Sequence, residues 1–393
     1  MATGQTLLPA GTKETEMTDI RPFRIDVPEA DLEDLRRRLR ATRWPEKEVV
    51  DDWSQGVPLA YTQELCAYWA DKFDWRPWEA KLNAWPQFMT EIDGVDIHFL
   101  HVKSPHENAM PLVITHGWPG SVLEFHKVID ALVNPTAHGG SAEDAFHVVA
   151  PSLPGYGWSG KPTGPGWGVE KIGDAWAKLM ARLGYDRYVA QGGDWGSAVT
   201  GCIGAQDPEH CAGIHLNMLM APTTTAKDDM TEAEKTAAER MKYYFDWDSG
   251  YSKEQATRPQ TIGYGLADSP SGQCAWIVEK FWAWMDCDGH PENVLSRDEI
   301  LANVSIYWLS NSATSSARLY WQSFGKSRPQ PVEVPFGYAV FPKDISFQSR
   351  RWAEKRFSNI VHWGEQEKGG HFAAFEVPET FVDELRACFR QVR

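Results

Sequence analysis

One seven-residue turn constrains the fold of this chain more than any other stretch. It runs from Gln191 to Ser197 and reads Gln-Gly-Gly-Asp-Trp-Gly-Ser. Residues 186–190 before it have the pattern of a short strand, and the small residues at 198–205 after it predict a closely packed helix. In such a strand–turn–helix the central residue, here Asp194, takes a strained backbone conformation, and small neighbours let the helix start beside the strand. A plainer alternative is a tight turn in which Asp194 caps the helix.

The composition limits the classes of protein to which the chain can belong. Its 393 residues are enough for one large domain with insertions or for two domains. A net charge of −15 argues against a nucleic acid or an anionic membrane surface as a partner. The polar first residues predict neither a signal peptide nor a membrane anchor. Six scattered cysteines predict reduced thiols in a cytoplasmic protein, and we expect neither a metal nor a cofactor.

The order of predicted elements indicates an α/β fold with two additions. Residues 1–20 are predicted to be a disordered leader, and residues 21–88 an N-terminal helical arm. Residues 89–221 contain a hairpin and then alternating buried strands and helices, which predicts a doubly wound, mostly parallel sheet. Residues 222–326 have the pattern of consecutive helices and predict a helical cap inserted into this core. Residues 327–393 return to strands and end with a helix.

Two polar residues follow the last predicted strands in the order that a catalytic triad on such a sheet requires. Asp344 follows one strand and His371 the next, so that a nucleophile at Asp194 would be succeeded by an acid and then a histidine. Asp344 would orient and electrostatically support the histidine. His371 alone means little, because the chain holds 12 histidines. His116 competes for the role, although its position favours a structural hydrogen bond.

Six motifs together resemble the epoxide hydrolases of the α/β-hydrolase fold, specifically the microsomal type with an extra N-terminal arm. Each motif is weak alone, but the set is specific, and the resemblance covers about residues 20–393. It implies an α/β-hydrolase fold and the conversion of an epoxide and water to a vicinal diol, in a soluble member without the membrane anchor of the animal enzymes. The matching stretches are Arg-Pro-Phe at 21–23, Trp-Pro at 44–45, His-Gly-Trp-Pro-Gly at 116–120, Gly-Gly-Asp-Trp-Gly at 192–196, Phe-Pro-Lys-Asp at 341–344 and Gly-Gly-His-Phe-Ala-Ala-Phe-Glu at 369–376.

The resemblance also implies two tyrosines in the cap. A Gly-Tyr pair early in the cap matches Tyr251, and a late cap helix matches Tyr320. Tyr307 is a nearby alternative that aligns less well. Core packing is the competing interpretation for all three, because the chain has 12 tyrosines.

The chemistry implied by the family fits these residue types. The Asp194 carboxylate would attack an epoxide carbon and form an ester, while the two phenols protonate the oxygen. His371 would then activate water for attack on the ester. Backbone N–H groups of Trp118 and Trp195 would hold the oxyanion.

Two rival functions and several open points accompany this prediction. A haloalkane dehalogenase also uses an aspartate nucleophile and a following tryptophan such as Trp195 to hold halide, but the cap tyrosines and the arm argue against it. A non-catalytic ligand-binding member of the fold is the other rival. The resemblance implies a small hydrophobic epoxide as substrate, and the 19 tryptophans favour a bulky or aromatic one. The arm can lie on its own core or on a second copy, which leaves a homodimer open.

Overall fold

A computed structural model describes residues 19–219, 225–346 and 348–393. Most of the predicted leader and the predicted boundary between residues 221 and 222 lie outside these ranges. Within them, nine strands form one sheet. The strands are β1 Arg21–Phe23, β2 Gln87–Ile92, β3 Val95–Val102, β4 Met110–Thr115, β5 Phe146–Pro151, β6 Tyr188–Gly192, β7 Cys211–Leu216, β8 Phe336–Val340 and β9 Ile360–Glu365.

The sheet has the strand order β1-β2-β3-β5-β4-β6-β7-β8-β9. The first three strands pair antiparallel, as do β3 and β5, and every pairing from β5 to β9 is parallel. The predicted doubly wound, mostly parallel sheet is therefore confirmed. Because β5 and β6 lie on opposite sides of β4, the order in which successive strands are added across the sheet reverses at β4. Loops after β4 and β6 meet at this switch point, where open α/β sheets bind their ligands.

Helices cover both faces of the sheet and form two further groups. The arm contains α1 Glu29–Arg40, α2 Leu59–Asp71 and α3 Trp75–Leu82. The cap contains α7 Glu232–Tyr243, α8 Gly250–Thr257, α9 Pro259–Asp268, α10 Pro270–Trp284, α11 Arg297–Leu309 and α12 Ala313–Ser323. The core helices are α4 Ile129–Val133, α5 Val169–Arg182, α6 Trp195–Gln206, α13 Arg350–Ala353, α14 Ala373–Glu376 and α15 Pro378–Phe389.

Alternation along the central strands divides the core in two. On β4, Val113 packs into the cluster shared with α5, α6, the arm and the cap, whereas Leu112 and Ile114 pack into the cluster with α4 and α15. Successive side chains of a strand point to opposite faces, so a continuous apolar run is what a strand covered on both faces requires. This burial makes the switch point a rigid base for the loops that leave it.

The arm packs against the cap and also joins the sheet. Strand β1 pairs with β2, so the arm is not purely helical as predicted. Among the arm–cap contacts, three hydrogen bonds join side chains of α2 to the cap. These are Tyr61 to Glu292 at 2.8 Å, Tyr68 to Asp298 at 2.9 Å and Trp69 to Ser305 at 3.0 Å.

Candidate active site

The turn after β6 holds Asp194 in a conformation that few residues adopt. Its φ is 49° and its ψ is −127°, a strained combination that costs about 1–3 kcal/mol. A Cβ atom on Gly192 would lie 2.1 Å from the Gly196 carbonyl oxygen, and one on Gly196 would lie 1.9 Å from the Thr115 oxygen. The side chain of Asp194 does not cap α6. The plainer interpretation as a capping turn is therefore wrong, and the turn instead directs the carboxylate away from the helix.

Asp194, Asp344 and His371, which were predicted from three separate loops, come together. His371 Nδ1 lies 2.7 Å from Asp344 Oδ1, and His371 Nε2 lies 3.2 Å from Asp194 Oδ2. The second contact lacks hydrogen-bond geometry, and Nε2 has no other partner among the residues described. The side chains of His371 and Asp344 are 1% exposed and that of Asp194 is 12% exposed. Asp344 thus fixes the imidazole through Nδ1, and Nε2 is available for proton transfer beside Asp194.

The two carboxylates control the charge of the imidazole. Burial opposes protonation of His371, but the hydrogen bond to Asp344 and the nearby charges of Asp344 and Asp194 outweigh it and raise the pKa to about 10. Burial also raises the pKa of Asp344, against the lowering effect of His371. In the free protein His371 is therefore an imidazolium between two carboxylates at neutral pH.

The loop after β4 supplies a donor to the nucleophile. The backbone N–H of Trp118 donates to Asp194 Oδ1 at 2.8 Å. Trp195 is the first residue of α6, where a helix leaves backbone N–H groups without an intrahelical acceptor. Of the two predicted oxyanion donors, the Trp118 N–H thus contacts the Asp194 carboxylate, and the role of the Trp195 N–H stays a prediction.

His116 and Tyr307 both support this loop. His116 accepts a hydrogen bond from the Leu153 N–H at 3.2 Å, so its Nδ1–H donates to the Gly117 carbonyl at 2.9 Å. Burial lowers its pKa to about 4, which keeps the ring neutral. The Tyr307 hydroxyl donates to the Gly120 carbonyl at 2.7 Å. Both side chains are engaged in bonds that hold the loop.

The two predicted cap tyrosines face Asp194 across a cavity of about 330 Å³. The Tyr251 ring stacks on Trp118 with centroids 5.0 Å apart, and the Tyr320 ring meets Trp195 edge-on at 4.8 Å. The Tyr320 hydroxyl is buried and makes no hydrogen bond to any residue that the structure describes. Burial and then the Asp194 charge raise its pKa well above the ordinary value. The cavity wall is otherwise mainly apolar and includes Met218, Leu219, Phe245, Phe324 and Ile345.

Two features of the site escaped the sequence analysis. The Tyr251 hydroxyl lies 2.9 Å from that of a third tyrosine, Tyr244, and no sequence pattern indicated this contact. A second cavity of about 10 Å³ is bounded by Asp194, His371 and Glu124, among others. Burial raises the pKa of Glu124 to about 8. A volume of that size holds one water molecule.

Neither a membrane span nor a metal cluster is present in the part of the chain that the structure covers. None of its helices is both long and apolar enough to cross a bilayer. No group of three histidine, cysteine, aspartate or glutamate side chains there is arranged to hold a metal ion.

Comparisons with known proteins agree with this geometry. Residues 20–125 match the family described as epoxide hydrolase N terminus, and residues 110–264 match the α/β-hydrolase fold family. A Stigmatella aurantiaca protein, provisionally named an epoxide hydrolase, is 54% identical over 95% of this chain and 86% of its own length. Epoxide hydrolase 1 of Oryctolagus cuniculus is 34% identical over 94% of this chain and 88% of its own. The structure of Aspergillus niger epoxide hydrolase is 34% identical with a TM-score of 0.86, covering 95% of this chain and 97% of its own. The chain is therefore a member of the epoxide hydrolase family with the α/β-hydrolase fold.

Proposed function

We propose that this chain hydrolyses epoxides in two steps through a covalent ester on Asp194. One observation carries the proposal. The Asp194 carboxylate has one oxygen on the Trp118 N–H and the other 3.2 Å from His371 Nε2, at the base of a cavity bordered by Tyr251 and Tyr320. A nucleophile and two acids thus border one apolar space, and the base contacts the nucleophile from beside it.

In the first step Asp194 attacks an epoxide carbon from behind, and the carbon–oxygen bond of the ring breaks. An aspartate is ionised at neutral pH and needs no base for this attack, unlike a serine. The departing oxygen becomes an alkoxide and takes a proton from the Tyr251 or Tyr320 hydroxyl. The Tyr320 hydroxyl is free of other described partners and can bind the epoxide oxygen directly.

In the second step water attacks the carbonyl carbon of the ester. Ester formation removes the Asp194 charge, one of the groups that keep His371 protonated, so the His371 pKa falls and the imidazolium releases a proton to water. The neutral ring can then act as a base. The cavity of about 10 Å³ beside Asp194 and His371 is where we place this water, within reach of Glu124. The Trp118 N–H, already 2.8 Å from Oδ1, stabilises the tetrahedral oxyanion.

The cavity wall suggests the class of substrate. A volume of about 330 Å³ fits a small epoxide, and Phe245 and Phe324 give the wall aromatic faces. We propose a compact aromatic epoxide. In this scheme residues 89–221 and 327–393 supply the nucleophile, acid and base, residues 222–326 supply the tyrosines, and residues 21–88 brace them.

Styrene oxide tests the proposal, with 1-chlorobutane as the probe for the dehalogenase alternative. The wild type should form diol from the epoxide and release no chloride from the haloalkane. Asp194→Ala should form no diol while retaining the wild-type circular dichroism spectrum. Chloride release without diol formation would favour the dehalogenase, and full activity of Asp194→Ala would exclude the ester.

A further inference from the structure

A third tyrosine is built into the acid side of the site. The Tyr244 and Tyr251 hydroxyl oxygens are 2.9 Å apart, and the two residues are 4% and 5% exposed. Tyr244 begins a π-helical turn, Tyr244–Asp248, that joins α7 to α8. Such turns often occur at functional sites, because they displace side chains from ordinary helical positions. Here the turn brings two phenols into direct hydrogen bonding beside Asp194.

Tyr244 also borders two different spaces. With Asp194 and Tyr251 it lines the cavity of about 330 Å³, and with Asp248 and Asp344 it lines a surface groove of about 430 Å³. Tyr244 therefore separates the cavity beside Asp194 from a groove that is open to water. Tyr251 lies one hydrogen bond further in.

We propose that Tyr244 is a proton relay that supplies Tyr251 during ring opening. The inference rests on the proposed function, since it requires that Tyr251 donate to the epoxide oxygen. As the epoxide carbon–oxygen bond breaks, the Tyr251 O–H proton passes to the alkoxide and the Tyr244 O–H proton passes to Tyr251. Tyr244 is left as a phenolate and takes a proton from water in the groove. His371 releases one proton to water after the ester forms and regains one from the Asp194 carboxyl when the ester is hydrolysed, which balances the proton that Tyr244 takes up.

The hydrogen bond between the two phenols makes the outer one the easier to ionise. Burial raises the pKa of both tyrosines, but the hydrogen bond between them lowers that of Tyr244 and raises that of Tyr251. Lys280, with its side chain 6% exposed, places its ammonium 4.7 Å from the centre of the Tyr251 ring. Asp248 holds this ammonium at 3.2 Å and also accepts from the Trp284 indole at 2.9 Å. The ammonium also pairs with Glu279 at 2.7 Å, so its role here is to hold the Tyr251 ring in place through a cation–π contact.

A double-mutant cycle on ester formation separates a relay from a packing role. The variants are Tyr244→Phe, Tyr251→Phe and the double variant, and the readout is the single-turnover rate of adduct formation by quenched flow and intact mass with styrene oxide. Tyr244→Phe should slow this rate about tenfold in the wild-type background and leave it unchanged in the Tyr251→Phe background. Tyr243→Phe, on an adjacent residue with 62% exposure, is the matched control and should react like the wild type.

Each outcome decides between the relay and its absence. A packing role would slow both backgrounds equally, and a wild-type rate in Tyr244→Phe would exclude the relay outright. If Tyr244→Phe does not fold, a proton inventory on the wild type decides. Two protons in flight give a curved dependence of ester formation on the deuterium fraction, and a straight line would overturn the relay. Absence of any adduct in the wild type would instead contradict the proposed function itself.

Discussion

The charge of His371 is expected to depend on the charge of Asp194, and Asp194→Asn tests this by imitating the neutral ester. The two side chains are 3.2 Å apart at Nε2 and Oδ2. Two unit charges about 4 Å apart at an effective dielectric constant of about 20 interact by roughly 4 kcal/mol, which corresponds to about 3 pKa units. The pKa of His371 should therefore fall from about 10 in the wild type to about 7 in the variant.

Histidine ring NMR gives the direct measurement. Protein labelled in its histidines would be titrated from pH 5 to 10.5, with the His371 signal assigned from its loss in His371→Gln and the integrity of the asparagine checked by intact mass. A midpoint in Asp194→Asn that stays above about 9 would refute the coupling. The proposed switch of His371 from acid to base on ester formation would then lose its cause.

The same coupling makes a prediction for stability. The folded-state pKa of His371, about 10, lies above the value of about 6.5 expected when unfolded. Protonation of His371 therefore stabilises the fold fully below pH 6.5, and this contribution is lost as the pH rises towards 10. In Asp194→Asn the loss should be smaller. Melting temperatures of the two proteins between pH 6 and 10 test this, and parallel curves would contradict it.

Three further variants separate the remaining roles. His371→Gln should react once with an epoxide and then stall, and the peptide that contains Asp194 should gain the mass of one substrate. If the wild type forms diol and the variant forms no adduct, the ester mechanism is contradicted. Tyr251→Phe and Tyr320→Phe together should slow ester formation by about 10²–10⁴-fold in rapid-quench assays, and an unchanged rate would make both tyrosines structural. The Tyr307→Phe variant should open epoxides at the wild-type rate. Its free energy of unfolding should fall by about 1–3 kcal/mol in urea titrations, because the buried Gly120 carbonyl loses its hydrogen-bond donor. Unaltered stability there would mean that the loop finds another donor.

The parts of the site that sequence predicted are those fixed by strand order. Asp194, Asp344 and His371 each follow a strand of a parallel sheet, and the carboxyl ends of such strands share one edge. The glycines at 192 and 196 identify the turn because any larger side chain would overlap neighbouring backbone. These signals are local in the sequence, and the folded sheet brings the three residues close together.

Other features had no local signal. Strand β1 has three residues with a proline at 22, too few for an alternating pattern, and it depends on β2 for pairing. Helix α9 contains two glycines, which lower helix propensity, yet cap packing keeps it helical. The Tyr244–Tyr251 contact depends on a π-helical turn that no residue pattern indicates. Contacts that arise only from tertiary packing cannot be predicted from local sequence patterns.

The bonds between α2 and the cap have a consequence for engineering. Tyr61, Tyr68 and Trp69 attach one arm helix to cap positions that are more than 200 residues away in the chain. A chimera that exchanges only the cap would leave three polar side chains of α2 without their acceptors and the new cap without its brace. Recombination of cap and arm as one exchanged block preserves these contacts. The cap and the arm helix that contacts it therefore form one block in space, although they are separated in the sequence.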